Sequence, residues 1–140
     1  MVEEINKSSP TLLNLIVIGN AGVGKTSLMF KYVKDIFRQE TNATVGIDYL
    51  QKKYTSKSGQ KCKFKIWDTA GQERYRSLVS SHFKDANGVI LCFGLNDRTS
   101  FLDMRDWIGS IRQYCKQRQE DDQTTNPIPI VIVGNKLDLE

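Results

Sequence analysis

The chain has 140 residues, enough for one domain with a buried core but too few for two ordinary domains. Apolar residues make up 39% of it and charged residues 26%, a balance that excludes the disordered and fibrous classes of protein. The formal net charge is +4, and whether this charge indicates an anionic partner depends on where in the chain it lies.

The first predicted element is a strand over residues 12–18, because this short aliphatic run is typical of a strand buried on both faces. A glycine-rich loop follows. Beyond the loop, apolar residues recur at steps of three and four, which predicts a helix that packs on a sheet. These residues are Leu28, Met29, Tyr32, Val33, Ile36 and Phe37.

Residues 47–66 alternate between polar and apolar side chains and contain a turn signal at Ser58-Gly59, so they are predicted to form a β-hairpin with one solvated face. All of the basic excess lies between Tyr49 and Ile66, in a stretch without Asp or Glu: Lys52, Lys53, Lys57, Lys61, Lys63 and Lys65. We interpret this face as solvated, with contact to an acidic partner as the alternative. The rest of the chain is slightly acidic and does not indicate nucleic-acid binding.

The second half repeats the alternation of strand and helix. A buried strand is predicted over residues 89–95, followed by a polar cap at 96–100 and a helix whose apolar residues run from Phe101 to Cys115. Residues 116–126 are polar throughout and predict a surface loop or a frayed helix end, before a third buried strand at 128–133. Strands that alternate with helices imply a parallel sheet, which binds ligands beyond the carboxyl ends of its strands.

The cysteines and the termini predict a cytoplasmic protein. Cys62, Cys92 and Cys115 are odd in number and have no CxxC spacing, which favours reduced thiols. The first ten residues have neither a basic start nor an apolar stretch, and no run of 18 apolar residues occurs. Secretion and membrane spanning are therefore not expected.

The glycine-rich loop carries the first chemical motif. Residues 19–26 read Gly-Asn-Ala-Gly-Val-Gly-Lys-Thr, a complete GxxxxGK[ST] pattern between a strand and a helix. Glycines allow backbone N–H groups at a helix N-terminus to face phosphate oxygens. Lys25 is predicted to contact the β- and γ-phosphates, and Thr26 to give its hydroxyl to Mg²⁺. The predicted nucleotide contacts here are Ala21, Gly22, Val23, Gly24, Lys25, Thr26 and Ser27.

The second chemical motif follows a strand on the same side of the predicted sheet. In residues 67–73, Trp-Asp-Thr-Ala-Gly-Gln-Glu, Asp68 is predicted to hold Mg²⁺ through water, and Gly71 to offer its N–H to the γ-phosphate. Gln72 both accepts and donates hydrogen bonds, which suits the orientation of an attacking water.

The last motif, Asn-Lys-Leu-Asp at 135–138, selects the base. The carboxylate of Asp138 accepts hydrogen bonds from N1–H and the amine of guanine, and adenine offers neither donor. A site built on such bonds rejects the wrong base by roughly 10⁴-fold or more. Lys136 is expected to lay its stem along the ring, and Asn135 to brace neighbouring loops.

With Thr-Val-Gly-Ile-Asp at 44–48, these motifs occur in an order that resembles the small GTPases of the Ras superfamily, most of all the Rab branch. The resemblance implies an α/β P-loop G-domain: a mostly parallel central sheet, helices on both faces and one antiparallel edge strand. It also implies that Thr44 binds Mg²⁺ and the γ-phosphate, and that Phe37 packs against guanine. Thr41 stands where Rab proteins usually have an aromatic residue, so weaker shielding of the phosphates in the triphosphate state is expected. His82-Phe83-Lys84-Asp85-Ala86 and Phe93-Gly94 also depart from Rab signatures, so divergent effector recognition is expected.

The resemblance further implies a molecular switch that binds GTP with Mg²⁺, hydrolyses it slowly to GDP and regulates vesicle and membrane trafficking. Its expected protein partners are an exchange factor, a GTPase-activating protein and effectors. Residues 1–11 are predicted to be an N-terminal extension and residues 12–140 an incomplete G-domain, without the family's last strand and C-terminal helix. The expected consequences are an uncovered sheet edge, a marginal fold and weak nucleotide affinity.

Two alternatives remain at this point. One is a truncated G-domain that binds proteins without cycling between nucleotide states. The other is an ATP-dependent P-loop kinase, which Asp138 disfavours. Membrane association, on the cytosolic face of an intracellular membrane, is expected only if a lipidated tail lies beyond Glu140.

Overall fold

The computed structural model describes residues 9–37, 47–69, 85–122 and 127–139, with the side chains of residues 47, 48 and 115–122 left out. Five strands, three helices and a closing 3₁₀ turn lie in these ranges. In chain order they are β1 (Thr11–Ile18), α1 (Lys25–Lys34), β2 (Ile47–Thr55), β3 (Lys61–Thr69), β4 (Gly88–Gly94), α2 (Arg98–Leu102), α3 (Met104–Asp122), β5 (Ile130–Asn135) and the 3₁₀ turn (Leu137–Leu139).

The strands form one sheet in the order β2-β3-β1-β4-β5. Strands β3, β1, β4 and β5 pair in parallel, and β2 joins the edge antiparallel to β3. The predicted mostly parallel sheet with one antiparallel edge strand is therefore confirmed. The next two parallel strands in the chain, β3 and β4, lie on opposite sides of β1, so the strand order reverses there. The carboxyl ends of strands at such a reversal are where these folds bind ligands.

Helices cover both faces of the sheet, as predicted. On one face, Trp107 and Ile111 of α3 pack against β1 and β4, where Ile16, Ile18 and Leu91 are fully buried. On the other face, Met29 of α1 packs against the second core cluster, which includes Val17, Ile66 and Cys92. β1 and β4 thus contribute alternate side chains to two cores, which explains their continuous aliphatic sequences.

The predicted extent of α1 is wrong at its carboxyl end. The helix stops at Lys34 because Asp35 adopts a left-handed conformation, with φ of 54°, and its N–H bonds to the carbonyl oxygen of Lys31 at 3.0 Å. Ile36 and Phe37 lie beyond the helix, and Phe37 is 65% exposed. The apolar spacing thus continued past a backbone stop that it did not reveal.

The β-hairpin is confirmed, including its turn. The N–H of Ser56 bonds to the carbonyl oxygen of Gln60 at 2.8 Å, and Gly59 has φ of 84°, which favours glycine at this position. Phe64 and Ile66 face the core with α1, whereas Lys61, Lys63 and Lys65 alternate with them onto the opposite face.

The helix predicted from Phe101 to Cys115 is divided into α2 and α3 at Asp103. Asp97 caps α2 by accepting a hydrogen bond from the N–H of Ser100 at 3.2 Å, as expected for the polar stretch before a helix. Of the two readings for residues 116–126, helix is correct as far as Asp122. No described helix is long and apolar enough to cross a membrane.

The predicted third buried strand is displaced and largely exposed. It runs from Ile130 to Asn135, and the side chains of Val131 and Ile132 are 58% and 52% exposed. Among the described residues, β5 pairs only with β4, so it has a sheet neighbour on one side alone. Aliphatic composition therefore identified a strand correctly but not its burial, which depends on what packs against it.

Candidate functional site

Residues 19–24, the glycine loop, follow the carboxyl end of β1 and leave no room for a side chain at two points. A Cβ on Gly19 would lie 2.1 Å from the carbonyl oxygen of Cys92 in β4, and one on Gly24 would lie 2.3 Å from the side-chain nitrogen of Asn135. Both residues also have positive φ, of 143° and 93°. The backbone of the loop therefore passes too close to β4 and β5 for a side chain at either position.

The loop ends at the N-terminus of α1, whose first residue, Lys25, is 6% exposed. Its Nζ donates to the carbonyl oxygens of Gly19 and Asn20, at 3.0 and 2.8 Å. Burial lowers the pKa of Lys25 below its ordinary value, while the carboxylate of Asp68 opposes that change. A partly desolvated cation thus lies under the loop, beside the positive end of a helix dipole.

The next residue, Thr26, joins the helix to β3. Its hydroxyl donates to a carboxylate oxygen of Asp68 at 2.5 Å, and Asp68 is 4% exposed. Nearby, the hydroxyl of Thr69 donates to the carbonyl oxygen of Val17 at 2.7 Å, which fixes the end of β3 to β1. A hydroxyl and a carboxylate in contact at a helix N-terminus are oxygen donors of the kind that Mg²⁺ prefers.

Two residues at the carboxyl end of β5 also reach the glycine loop: Asn135, the last residue of the strand, and Lys136, which follows it. The side-chain amide of Asn135 donates to the carbonyl oxygen of Val23 at 3.0 Å, and Nζ of Lys136 donates to that of Gly22. Lys136 adopts a positive φ of 67°, so the backbone turns sharply as it leaves the sheet. These bonds join segments more than 100 residues apart into one edge of the sheet.

Comparison with known proteins assigns this arrangement to a family. A sequence model of the Ras family matches residues 14–140. The chain belongs to the Ras family. It is 38% identical to Ras-related protein Rab-18-B of Danio rerio and 39% identical to Ras-related protein Rab-30 of Homo sapiens, over 128 residues in each case. These matches cover 91% of the chain but 58% of each relative.

A third relative, Ras-related protein Rab-18 of Caenorhabditis elegans, is 39% identical over 137 residues, which are 96% of the chain and 62% of the relative. The predicted Rab-like, Ras-superfamily identity is thus confirmed. The Rab-like chain spans about three fifths of the length of the curated relatives it matches.

In the Rab-like chain, the structure brings most of the described site residues together at one sheet edge. The glycine loop, Lys25, Thr26, Asp68, Asn135 and Lys136 are joined by the bonds above. Asp138 lies two residues beyond Lys136, exposed, in the 3₁₀ turn. Phe37 is exposed beyond α1, and Thr44, Gly71 and Gln72 lie outside the described residues.

The sequence pattern did not reveal two side chains that support the glycine loop, one at the junction of α2 and α3 and one in α3. The side-chain amide of Asn20 donates to a carboxylate oxygen of Asp103 at 2.6 Å, and its oxygen accepts from the indole N–H of Trp107 at 2.9 Å. The helical spacing predicts Trp107 in the apolar core stripe of the helix, where it does pack. Nothing in a single sequence links it to a residue 87 positions earlier.

The described residues contain no group of three or more His, Cys, Asp or Glu side chains that could hold a metal ion. The predicted Mg²⁺ site has a single carboxylate, Asp68, and the hydroxyls of Thr26 and Thr44, and Thr44 lies outside the described residues. The contact between Thr26 and Asp68 fits that donor set. In a Ras-family site, nucleotide phosphates supply the remaining negative charge.

Proposed function

We propose that the Rab-like chain is a GTP-binding molecular switch that hydrolyses GTP slowly to GDP and regulates vesicle and membrane trafficking. The observation that carries this proposal is the convergence of three motifs at one sheet edge: the glycine loop with Lys25, the Thr26–Asp68 pair, and Asn135 with Lys136. Their separation in the chain makes an accidental convergence of this kind improbable.

The glycine loop and Lys25 would bind the triphosphate. The loop presents backbone N–H groups at the N-terminus of α1, where the helix dipole attracts anions. Lys25 already points its ammonium group at the loop's own carbonyls, and these two bonds would be exchanged for bonds to phosphate oxygens. Because Lys25 is buried, water screens its charge little, which strengthens the attraction.

Thr26 and Asp68 would hold Mg²⁺, together with Thr44. The metal, when bound, neutralises charge on the β- and γ-phosphates. Thr26 would contribute its hydroxyl oxygen directly, and Asp68 would bind through water, as the sequence predicts. Their direct hydrogen bond places both groups at the first turn of α1, beside Lys25.

Asp138 would select guanine, and its neighbours would connect the base to the phosphates. Asn135 and Lys136 bond to carbonyl oxygens of the glycine loop, so the segment that ends in Asp138 is fixed relative to that loop. Phe37, which is largely exposed, is available to pack against the base.

Thr44, Gly71 and Gln72 would make the switch. Contacts from Thr44 and the N–H of Gly71 to the γ-phosphate would order their two segments in the GTP state and release them after hydrolysis. Gln72 would orient the attacking water. An activating protein that supplies an arginine would raise the rate by about 10³ to 10⁵. An exchange factor would reload GTP, and effectors would bind the GTP state.

The test is a titration of the chain with fluorescent GTP and GDP analogues, with ATP as competitor and Mg²⁺ present. We expect guanine nucleotides to bind and ATP not to compete, and the Asp138→Ala variant to lose that preference. Guanine affinity no better than about 1 mM for the folded chain, only about 4 kcal/mol of binding free energy, would contradict the proposal in favour of a non-cycling interaction module.

Hydrolysis is tested separately by single-turnover release of phosphate. The Gln72→Leu variant removes hydrogen bonding to water but leaves the phosphate and base contacts, so we expect unchanged GTP affinity and slower hydrolysis. Equal rates for the variant and the parent would show that Gln72 does not have this role.

A further inference from the structure

One face of the hairpin presents a row of lysines that the nucleotide site does not use. Lys53 on β2 and Lys61 and Lys63 on β3 project from the same side, because the register places Lys53 opposite Lys63 and Thr55 opposite Lys61. We call Lys53, Lys61 and Lys63 the lysine face. Lys61 and Lys53 are exposed, and Lys63 is half-buried.

The lysines of the lysine face repel one another. Lys53 and Lys63 are directly opposed like charges, an arrangement that destabilises a β-sheet. Within the described parts of the chain, the ion pair found is that of Lys31 with Asp35 on α1, and none involves the lysine face. A solvated surface needs charge but has no need for opposed identical charges, so an anionic partner is the better explanation.

The remaining strand lysines of this hairpin behave differently. Nζ of Lys65 lies over the rings of Tyr49 and Trp67, at 4.2 and 4.6 Å, and Nζ of Lys52 lies 4.4 Å over the ring of Tyr32. These two charges have aromatic partners within the molecule. The lysine face, with Lys57 exposed in the hairpin turn beyond it, is therefore the part of the basic segment left to act outward.

The lysine face lies away from the nucleotide site. Strand β3 begins at Lys61 and ends at Thr69, next to Asp68, and it runs parallel to β1, whose carboxyl end leads into the glycine loop. Lys61 and Lys63 are thus near the amino ends of the parallel strands. A partner bound there leaves the glycine loop open.

We propose that the lysine face docks the protein on an anionic membrane surface. All six basic residues of the segment are lysines, which are compact point charges, whereas pairwise recognition of carboxylates favours the planar fork of arginine. A bilayer with anionic headgroups attracts each lysine independently, within about 8 Å at physiological salt. Leu12, paired with Lys63 and 52% exposed, adds an apolar contact on the same face.

This inference does not depend on nucleotide binding, and it concerns a surface rather than a lipid anchor. Lys61 and Lys63 are two residues apart on β3, about 7 Å along the strand, and Lys53 lies opposite Lys63, so the three lysines reach a flat surface together. Each lysine near such a surface contributes about a fivefold change in binding constant.

The test is flotation of the whole chain with vesicles of phosphatidylcholine, with and without phosphatidylserine, at low and at physiological salt. We expect binding only with phosphatidylserine and weaker binding at higher salt. The Lys53→Gln/Lys61→Gln/Lys63→Gln variant should bind on the order of 100-fold more weakly.

A matched control carries Arg98→Gln, Arg105→Gln and Arg112→Gln, three exposed residues of α2 and α3, and so has the same net charge. It should stay within about fivefold of the parent. A Lys→Arg triple at the three lysines should retain binding, because a headgroup surface needs only the charge. Both glutamine triples should keep the parent's circular dichroism spectrum, which excludes unfolding as the cause.

Three results would overturn the proposal. Equal losses in the two glutamine triples would assign binding to net charge rather than to this face. Absence of phosphatidylserine-dependent binding at low salt would exclude a membrane partner. A soluble polyglutamate peptide that binds through these lysines, when vesicles do not, would assign the face to an acidic polypeptide instead.

Discussion

At the scale of single residues, the burial of a cation under the glycine loop destabilises the fold. Lys25 is 6% exposed and bonds only to backbone carbonyls among the contacts described above, and its pKa is lowered by burial. Carbonyl dipoles and the carboxylate of Asp68 compensate that burial only in part. The lowered pKa means that folding favours the neutral form of Lys25 over its charged form. A charge held in this way is suited to bind an incoming anion.

Replacement of Lys25 by Met tests that role. Loss of charge-assisted hydrogen bonds worth about 1.5–3 kcal/mol should weaken GTP binding by roughly 10- to 150-fold. Titration with a fluorescent GTP analogue measures it. Lys34→Met, at the exposed end of the same helix, is the control and should bind as the parent does.

The lowered pKa of Lys25 also predicts that the free energy of unfolding depends on pH. Because the folded pKa of Lys25 lies below the unfolded value near 10.5, the unfolded chain binds more protons between the two values. The free energy of unfolding contributed by this group therefore rises with pH in that window. Without nucleotide, Lys25→Met should be more stable than the parent at neutral pH, and denaturant titrations at rising pH should show the difference shrink.

Asn20 is a second residue with an effect beyond its size, because both halves of its amide are used. Asn20→Ala would leave the buried indole N–H of Trp107 and the carboxylate of Asp103 without this partner, at a cost of about 1–3 kcal/mol. Urea unfolding measures the loss. Ser110→Ala, which removes only a local bond to the carbonyl of Asp106, should cost far less, and equal costs would contradict the role assigned to Asn20.

At the scale of elements, the glycine loop is defined by how closely it passes β4. Gly19 leaves no room for a side chain against the carbonyl oxygen of Cys92, whereas a Cβ on Gly22 would have no atom within 4 Å. Position 22 favours glycine only because its φ is 76°. Two glycines of one motif are therefore required for different reasons, one steric and one conformational.

This difference predicts unequal effects of the same substitution. Gly22→Ala should destabilise the chain by about 1–2 kcal/mol, the cost of a left-handed conformation. Gly19→Ala should cost about 3 kcal/mol or more, because β4 must move. Thermal unfolding of the two variants side by side tests the order, and a larger loss for Gly22→Ala would contradict this account of the loop.

At the scale of the whole molecule, the sheet is unevenly covered. Its centre is buried on both faces by α1 and α3, but β5 presents exposed aliphatic side chains and lacks a described neighbour on its outer side. Strands of this kind favour association with other chains. In the described part of the chain, the outer side of β5 is therefore the surface from which we expect association.

We predict that Val131→Thr/Ile132→Thr reduces self-association of the 140-residue chain at a cost of only about 1 kcal/mol per site, since both side chains are more than half exposed. Sedimentation velocity and urea unfolding measure the two quantities. Leu91→Ala on the adjacent strand, where the side chain is fully buried, should cost about 2–5 kcal/mol. Unchanged self-association in the threonine variant would exclude β5 as its cause.

The sequence by itself determined the identity of the family, and it predicted the residues of the site. A glycine at a tight turn, a lysine at a helix start and a carboxylate after a strand are local requirements, written into neighbouring residues. For this reason the glycine loop, Asp68 and the hairpin turn at Gly59 could all be predicted. The α1 terminus could not, because a left-handed Asp35 interrupts a helical pattern without changing it.

Only the tertiary structure decided which distant residues support the site and which faces stay exposed. The bonds from Asn20 to Trp107 and from Asn135 to Val23 join residues 87 and 112 positions apart, and the opposition of Lys53 and Lys63 follows from strand register. The burial of β5 was predicted wrongly for the same reason. Burial and long-range pairing depend on what the rest of the fold places nearby, which no local pattern contains.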